Sequence, residues 1–319
     1  MAAFIVRRIL FVILVLWIIS VVVFVMYFVQ PNDPARLLAG RQATNAEIVA
    51  IRHSLGLDQP KIVQYGNFLW RLVHGDLGYS YHASVPVRDY IFSRLPVTAS
   101  LAIGAAVIWL VMGVAAGVLA AVRPRTLADR LVTFLALFFY SMPTFLIGIF
   151  LLYFFFFKLY TSGLQWFPGG GYVPLTQDPV QWLTHLILPW FALALVTAAT
   201  YARLTRGTML DVLGEDYIRT ARSKGITEGR VVVRHALRSA LTPVVTQFGI
   251  DLGVLLGGAI VTENVFGLPG LGQLAVASIF NQDLPVVIGI VLFASAFIVV
   301  ANIAVDFLYA VLDPRVRLT

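Results

Sequence analysis

Runs of about 20 apolar residues recur along this 319-residue chain and constrain its fold more than any other feature. They occupy residues 9–29, 98–122, 131–159, 185–201, 240–265 and 285–309. A run of this length can cross a bilayer as a helix, and the fourth run is the shortest. Charged residues make up only 12% of the chain, against roughly 25% in soluble domains, so lipid must cover part of its surface. The sequence predicts an all-α membrane protein with six transmembrane helices.

The positions of lysine and arginine predict which ends of the spans face the cytoplasm. We interpret the first run as a retained span, because its core is too long for a signal peptide and no small-residue cleavage site follows it. The long segment 30–97 is left out of this comparison, because segments longer than about 60 residues follow the rule poorly. Of the other segments, 160–184 and 266–284 contain no Lys or Arg. The segments on the other side contain Arg7, Arg8, Arg123, Arg125, Arg130, Arg203, Arg206, Arg219, Arg222, Lys224, Arg230, Arg234, Arg238, Arg315 and Arg317. Both termini are therefore predicted to be cytoplasmic. The net charge of +7 then reflects topology and does not indicate nucleic-acid binding.

The extracytoplasmic segment 30–97 carries two helix signals of its own. Thr44 and Glu47 form a capping box before a helix that Gly56 can end. A second helix is predicted between Pro60 and Gly75. Its apolar stripe contains Ile62, Tyr65, Leu69, Leu72 and Val73. We expect both helices on the outer membrane face, either as a lid packed on the span ends or in contact with a substrate carrier.

Glycines and a proline predict how the spans pack. Gly249, Gly253 and Gly257 lie four residues apart on one face of the fifth span, which favours close contact with another helix. Gly113 and Gly117 form a similar pair in the second span. Pro143 is expected to kink the third span, because it removes a backbone donor.

Acidic residues are rare within the spans. Asp251 lies near the middle of the fifth span and is expected to face protein or a watery pathway, because a charge in hydrocarbon is costly. It either contributes to a pathway or bonds to a neighbouring helix. Glu263 and Asp306 lie closer to the interfaces and are predicted to be solvated.

Two common motifs of enzyme sites are missing from the sequence. A phosphate-binding Walker loop needs Gly directly before its Lys, but Lys61, Lys158 and Lys224 follow Pro, Phe and Ser. No histidine belongs to a His-Glu-x-x-His zinc site, and the chain has no cysteine. We therefore predict no catalytic, cofactor or metal site.

Segment 203–238, between the fourth and fifth spans, has the pattern of a compact helical loop. Asp216 can cap a short helix from Tyr217 to Lys224, and Gly225 can end it. Tyr217, Ile218 and Ala221 fall on one face of this helix. This face would form an apolar knob that seats in a groove of a soluble partner, or the helix would lie on lipid headgroups.

This loop resembles the coupling segment, or EAA motif, of ABC importer permeases. The resemblance is carried by residues 215–225 and 234–238, although Arg219 and Thr220 replace the first two residues of the general Glu-Ala-Ala pattern. Five further stretches are similar to the first permease subunit of dipeptide, oligopeptide and nickel importers. They are residues 75–78 (GDLG), 95–98 (LPVT), 167–171 (FPGGG), 263–272 (ENVFGLPGLG) and 312–315 (LDPR).

The resemblance implies a type I ABC importer-like permease of a prokaryotic plasma (inner) membrane. Its parts would be span 1 with the N-terminus (1–29), the outer helical segment (30–97) and the permease core (98–319). It implies a second permease subunit, two ATPase subunits that hold ATP and Mg, and an extracytoplasmic solute-binding protein. The function implied is half of the pathway of an ATP-driven importer, with di- or oligopeptides as substrate. The alternative is a self-sufficient six-span channel or ion-coupled carrier.

The resemblance also implies roles for two groups of residues. The residues that would couple the permease to an ATPase are Asp216, Tyr217, Ile218, Arg219, Thr220, Ala221, Arg222, Ser223, Lys224 and Gly225. The loop 264–283 would reach into the binding protein through Leu268, Pro269, Gly270, Leu271, Gly272 and Gln273. A tight structural turn is the alternative interpretation of this loop.

Overall fold

The computed structural model describes the backbone of residues 2–28, 35–36, 43–54 and 56–312. Side chains are described within these ranges except at 2–5, 9, 27–28, 252–254, 256–258 and 304–312. Within the described ranges the regular structure is helical, apart from one isolated antiparallel bridge between Tyr79 and Pro86. The predicted all-α class is confirmed.

The predicted spans correspond to long apolar helices. They begin with α1 (Ala2–Phe28) and continue with α4 (Val87–Val122); two shorter helices, α2 (Asn45–Ser54) and α3 (Lys61–Val73), lie between them in the chain. After α5 (Leu127–Tyr140) come α6 (Thr144–Thr161) and α7 (Pro179–Leu213). A short helix α8 (Asp216–Ser223) precedes α9 (Leu237–Val265), α10 (Leu271–Phe280) and α11 (Leu284–Leu312). Five of these contain segments long and apolar enough to span a membrane: Val6–Met26, Val87–Val122, Thr144–Thr161, Pro179–Leu213 and Leu284–Ile303. The fifth predicted run, 240–265, lies within α9, which has 29 residues.

The third predicted span is divided at Pro143. The sequence predicts one kinked helix over 131–159, but α5 ends at Tyr140 and α6 begins at Thr144. Proline lacks the backbone N–H that a helix needs, and it disfavours helical geometry in the residue before it. The membrane-spanning part is therefore α6, which includes a stretch of wider π-helical turns at Leu152–Lys158.

The fourth span is longer than predicted. Its helix α7 starts at Pro179, where the Asp178 side chain accepts hydrogen bonds from the N–H groups of Val180 (2.9 Å) and Gln181 (3.0 Å). This is a capped helix start with proline at its first position.

The capping box and the glycine turns predicted for the two helices of segment 30–97 are confirmed. Thr44 N–H donates to Glu47 Oε2 at 2.8 Å, and Glu47 N–H donates to Thr44 Oγ1 at 3.4 Å, which closes the capping box before α2. The chain reverses after α2 and α3 at Gly56 (φ +65°) and Gly75 (φ +74°). Glycine adopts this left-handed conformation without a steric penalty.

The chain forms two compact units. One comprises the described residues of Met1–Ser93 together with Ala275–Val299, and in it Gly289 lies against Val87 and Ile91. The other comprises Arg94–Leu274 and the described residues of 300–317.

The main core of the second unit is built from α4, α6, α7 and α9, and α4 packs closely on α7. A Cβ atom added at Gly113 would lie 2.4 Å from Cβ of Tyr201, and one at Gly117 would lie 2.6 Å from Cβ of Thr205. The glycine pair therefore allows the two helices to approach closely, as predicted.

Candidate functional site

The predicted coupling helix is present as α8, and its start differs from the prediction. Asp216 is the first helical residue, and Glu215 takes the cap position without a side-chain hydrogen bond. The predicted Asp216 cap is therefore wrong. Asp216 Oδ1 instead lies 3.2 Å from Nη1 of Arg219, one turn along the helix. The predicted end is confirmed, since Gly225 has φ +76°.

The inner face of α8 is packed against its own chain. Ile218 is 0% exposed and Ala221 is 7% exposed. Both belong to a buried cluster whose other members are Ala121, Met209, Val231, Val232, Ala236 and Ala240. The prediction that Ile218 and Ala221 project into a partner is wrong, because the chain turns at Gly225 and residues 231–240 cover this face. We call this cluster the α8 seat. It fixes α8 to the ends of α4, α7 and α9.

The outer face of α8 is polar and open to solvent. Tyr217 is 45% exposed, and its hydroxyl donates to Ser239 Oγ at 3.2 Å. Arg222 makes a two-point ion pair with Glu228, at 3.0 Å from Nε and 2.7 Å from Nη2, and this guanidinium lowers the pKa of the Glu228 carboxyl. Asp216, Arg219, Thr220, Ser223 and Lys224 are also exposed on this surface. The outer face of α8 thus presents hydroxyl groups, cations and the carboxylate of Asp216 to solvent.

An ion pair near α8 was not predicted from the sequence. Asp129, at the start of α5, accepts hydrogen bonds from Nε (2.6 Å) and Nη2 (3.0 Å) of Arg206 near the end of α7. The Arg125 backbone N–H adds a third bond at 2.9 Å. Bonding to Arg206 and then to Arg125 lowers the pKa of Asp129 from 3.8 to about 2. The pair fixes the beginning of α5 to the α7 end that leads into α8.

Glu263, near the end of α9, is 0% exposed, so the prediction that it is solvated is wrong. Its Oε1 accepts a hydrogen bond from the Thr98 hydroxyl at 2.6 Å, and its Oε2 accepts one from the Gln273 N–H at 2.9 Å. Thr98 Oγ1 in turn accepts from the Leu271 N–H at 2.8 Å. We call these four residues the Glu263 knot. The position of Glu263 near a helix end predicted contact with water. The structure differs because the chain folds back over this helix end at Gly267.

The loop after α9 is tightly packed within the chain. Among the residues predicted to meet the binding protein, Leu268, Gly270, Leu271 and Gly272 are buried, while Pro269 and Gln273 are half-buried. A Cβ atom at Gly270 would lie 2.3 Å from the Glu263 carboxyl carbon, so a larger residue there would displace this carboxylate. This packing favours the tight-turn alternative for the part of the loop at 268–272.

Helix α9 also carries the predicted pathway residue and the predicted interface glycines. Asp251 is half-buried and accepts a hydrogen bond at 3.0 Å from Gln247, one turn earlier on the same helix. Gly249 is buried. The side-chain surroundings of Gly253 and Gly257, like those of Asp306 on α11, lie outside the described residues.

A buried carboxylate in the first unit was also missed. Asp283 accepts hydrogen bonds from the Ser80 hydroxyl, from the Tyr81 N–H at 3.0 Å and from the His82 N–H at 3.3 Å. Ser80 Oγ accepts the Ala83 N–H at 2.8 Å. Asp283 thereby holds the loop before α4 against the start of α11. The sequence did not indicate this site, because Asp283 lies just before the last apolar run and not within a span.

Family models match almost the whole chain. The family described as "Binding-protein-dependent transport system inner membrane component" matches residues 113–318, and the model of its N-terminal component matches residues 1–102. The chain belongs to this family of ABC importer permeases. The permease is accordingly an inner-membrane transport component, and the predicted self-sufficient channel or carrier is not favoured.

Two relatives align over nearly their full length. The permease is 45% identical over 317 residues to a peptide transport system permease protein of Brucella abortus (strain 2308), with 99% of both chains covered. It is 41% identical over 317 residues to the glutathione transport system permease protein GsiC of Shigella flexneri serotype 5b (strain 8401), again with 99% of both covered.

A solved structure shares the fold. The MetNI methionine ABC transporter in an inward-facing conformation matches with a TM-score of 0.53 and 21% identity, covering 70% of this chain and 96% of that one. The predicted importer-like helical architecture is therefore confirmed.

Proposed function

We propose that this permease forms half of the pathway of an ATP-driven importer for short peptides or peptide-like compounds such as glutathione. Full-length similarity to permeases named for peptide and glutathione transport supports this substrate class. The other half would be a second, related permease subunit. An extracytoplasmic solute-binding protein would deliver the substrate, and two ATPase subunits would hold ATP and Mg.

The seated coupling helix is the observation that carries the mechanism. α8 would contact an ATPase through its outer face, with Arg219, Thr220, Ser223 and Lys224 meeting acidic and hydrogen-bonding groups. Because Ile218 and Ala221 are buried in the α8 seat, a displacement of α8 would move the ends of α4, α7 and α9 with it. The ATPase cycle would thereby bias the outward-open against the inward-open packing of the spans.

The proposed orientation places both termini and α8 in the cytoplasm. Its support is the cation distribution, with Arg7 and Arg8 before α1 and the arginines at 123, 125 and 130 between α4 and α5. The binding protein then meets the opposite side. Its contacts in the loop after α9 would involve Pro269 and Gln273, which are only half-buried.

The pathway and subunit contacts are proposed on α9. Asp251 would line the pathway, since its carboxylate is half-buried and a charge at mid-span needs polar surroundings. Gly249, Gly253 and Gly257 would allow another helix to approach α9 closely.

Charge reversal on the outer face of α8 tests the coupling role. We expect Arg219→Glu combined with Lys224→Glu to abolish co-purification of the ATPase, because both cations are exposed and the buried seat is untouched. Arg130→Glu, at an exposed position outside α8, is the control and should retain the ATPase. An ATPase that stays bound to the double variant and is still stimulated by substrate would contradict the proposal.

The substrate class is tested on the assembled complex. Mass analysis of the compound carried by the co-purified binding protein should reveal a peptide or a glutathione-like molecule. Transport of solute by this chain alone in liposomes, without ATP or partners, would overturn the importer assignment.

A further inference from the structure

Helix α3 presents three different faces, which indicate three different surroundings. The first face packs on α1. The Tyr65 hydroxyl lies 2.9 Å from Ser20 Oγ, and the Phe24 ring lies 5.1 Å from the Tyr65 ring and 5.9 Å from the Phe68 ring, measured between centroids. The sequence predicted one apolar stripe containing Ile62, Tyr65 and Val73. In the structure Tyr65 lies on a different face of the helix from Ile62 and Val73.

The second face of α3 is apolar and open. Ile62 is 82% exposed, Trp70 is 69% exposed and Val73 is 80% exposed. Gly66 falls between them on the same face, and a Cβ atom added there would meet nothing within 4 Å. The spacing of four, four and three residues makes this a continuous stripe along the helix. We call it the α3 stripe.

The third face of α3 is polar. Gln64 Nε2 donates to the carbonyl oxygens of Leu57 (3.0 Å) and Gln59 (2.6 Å), in the turn between α2 and α3. Asn67 and Arg71 lie on the same side and are exposed. A helix with one strongly apolar side and one polar side is typical of a bilayer interface.

The contact with α1 fixes the depth of α3 in the bilayer. Ser20 and Phe24 lie inside the apolar segment Val6–Met26. Ser20 precedes the end of that segment by six residues, which corresponds to about 9 Å along a helix. Interfacial helices bury their apolar face roughly 5–10 Å into the boundary between headgroups and acyl chains.

We propose that α3 is an interfacial helix whose α3 stripe lies in lipid, at the leaflet next to the carboxyl end of α1. The occupant of the stripe is the acyl-chain region, because another face of the same short helix packs on Ser20 and Phe24 within the apolar segment of α1. Trp70 suits this position, since an indole ring favours the headgroup boundary. The outer segment is thereby anchored beside span 1 and does not offer this face to a substrate carrier. The assignment of this leaflet as the outer one rests on the proposed orientation. The rest of the proposal does not depend on it.

Site-directed spin labelling of the assembled complex in phospholipid vesicles tests the proposal. The chain has no cysteine, so single cysteines can be introduced as Ile62→Cys and Trp70→Cys on the stripe, with Asn67→Cys as the matched control on the polar face. Collision rates of each nitroxide label with oxygen and with the polar reagent NiEDDA are then compared. At positions 62 and 70 we expect high oxygen accessibility and NiEDDA accessibility on the order of tenfold lower than at 67, because polar solutes are excluded from acyl chains.

Two results would overturn the lipid assignment. One is equal NiEDDA accessibility at positions 62, 67 and 70. The other is loss of accessibility at 62 and 70 only after the binding protein is added, which would make the stripe a carrier contact. Quenching of tryptophan fluorescence by acyl-brominated lipids gives a second measurement with the unlabelled complex. The quenching should be smaller in Trp70→Phe than in the unsubstituted complex, and equal quenching would contradict the proposal.

The orientation is tested separately. A membrane-impermeant maleimide should label Asn67→Cys in intact cells. Absence of labelling, with the spin-label result intact, would overturn the orientation and leave the interfacial helix standing.

Discussion

Truncation of Ile218 to Ala separates ATPase binding from coupling. Ile218 is 0% exposed at the centre of the α8 seat, and truncating a buried isoleucine to alanine costs about 2–5 kcal/mol. A loss of about 3.5 kcal/mol, at 1.4 kcal/mol for each factor of ten, lowers the ratio of seated to displaced α8 by roughly 300-fold. The outer face of α8 keeps its chemistry. We therefore expect the ATPase to bind normally to an α8 that is no longer firmly attached to the spans.

The assay is ATP hydrolysis by the reconstituted complex with and without loaded binding protein. For Ile218→Ala we expect co-purification of the ATPase close to the unsubstituted level, continued basal hydrolysis and a several-fold loss of stimulation by the binding protein. Val233→Ala is the matched control, because Val233 is a β-branched residue of the same segment that is 65% exposed. Its truncation should change stability by no more than about 0.5 kcal/mol and leave stimulation intact. Full stimulation in Ile218→Ala, measured in a variant with a lowered melting temperature, would refute the reasoning.

Further predictions concern the packing and the buried polar groups. Gly113→Ala should lower the melting temperature because its Cβ would lie 2.4 Å from Tyr201 Cβ, whereas Gly207→Ala, with no atom within 4 Å, should be neutral or stabilising. Asp129, whose folded-state pKa is about 2, contributes stability that is fully present above pH 3.8 and is lost as the pH falls through about 2. Asp129→Asn should remove this contribution, so that stability measured between pH 5 and 2 falls less steeply than in the unsubstituted chain. Glu263→Ala should cost about 1–3 kcal/mol for each donor left without an acceptor, measured as thermal stability in detergent; an unchanged melting temperature would contradict this.

The spans and short helices could be predicted because their signals are local. Apolar length identifies a membrane helix without knowledge of its neighbours, and the Thr44 and Glu47 capping box satisfies its own helix start. The break at Pro143 was predicted only as a kink. Whether a chain bends or restarts at proline depends on the packing of α5 and α6, which the local sequence does not contain.

The direction of the α8 faces could not be predicted. The spacing of Ile218 and Ala221 indicates an apolar face, but periodicity does not tell whether this face meets the same chain or a partner. Val231 and Val232 of the same chain cover this apolar face, and they do so only because the chain turns back at Gly225.

The buried carboxylates were missed for a similar reason. Asp129 and Arg206 are 77 positions apart, and Glu263 and Thr98 are 165 positions apart. One sequence gives no signal that such distant residues meet. The closeness of Glu263 to the end of an apolar run also misled the prediction that it is solvated. That inference assumes that a helix ends in water, whereas this helix end is covered by the following loop.

Helix α9 joins the two places at which this permease would communicate with soluble proteins. It has 29 residues, so it is about 43 Å long, with Ala240 in the α8 seat near one end and Glu263 near the other. A tilt of about 5° pivoting at either end displaces the opposite end by roughly 4 Å, which is less than the pitch of one helical turn, about 5.4 Å. Arrival of cargo outside and nucleotide turnover inside would therefore act on the same helix, and by thermodynamic linkage each would alter the binding equilibrium of the other.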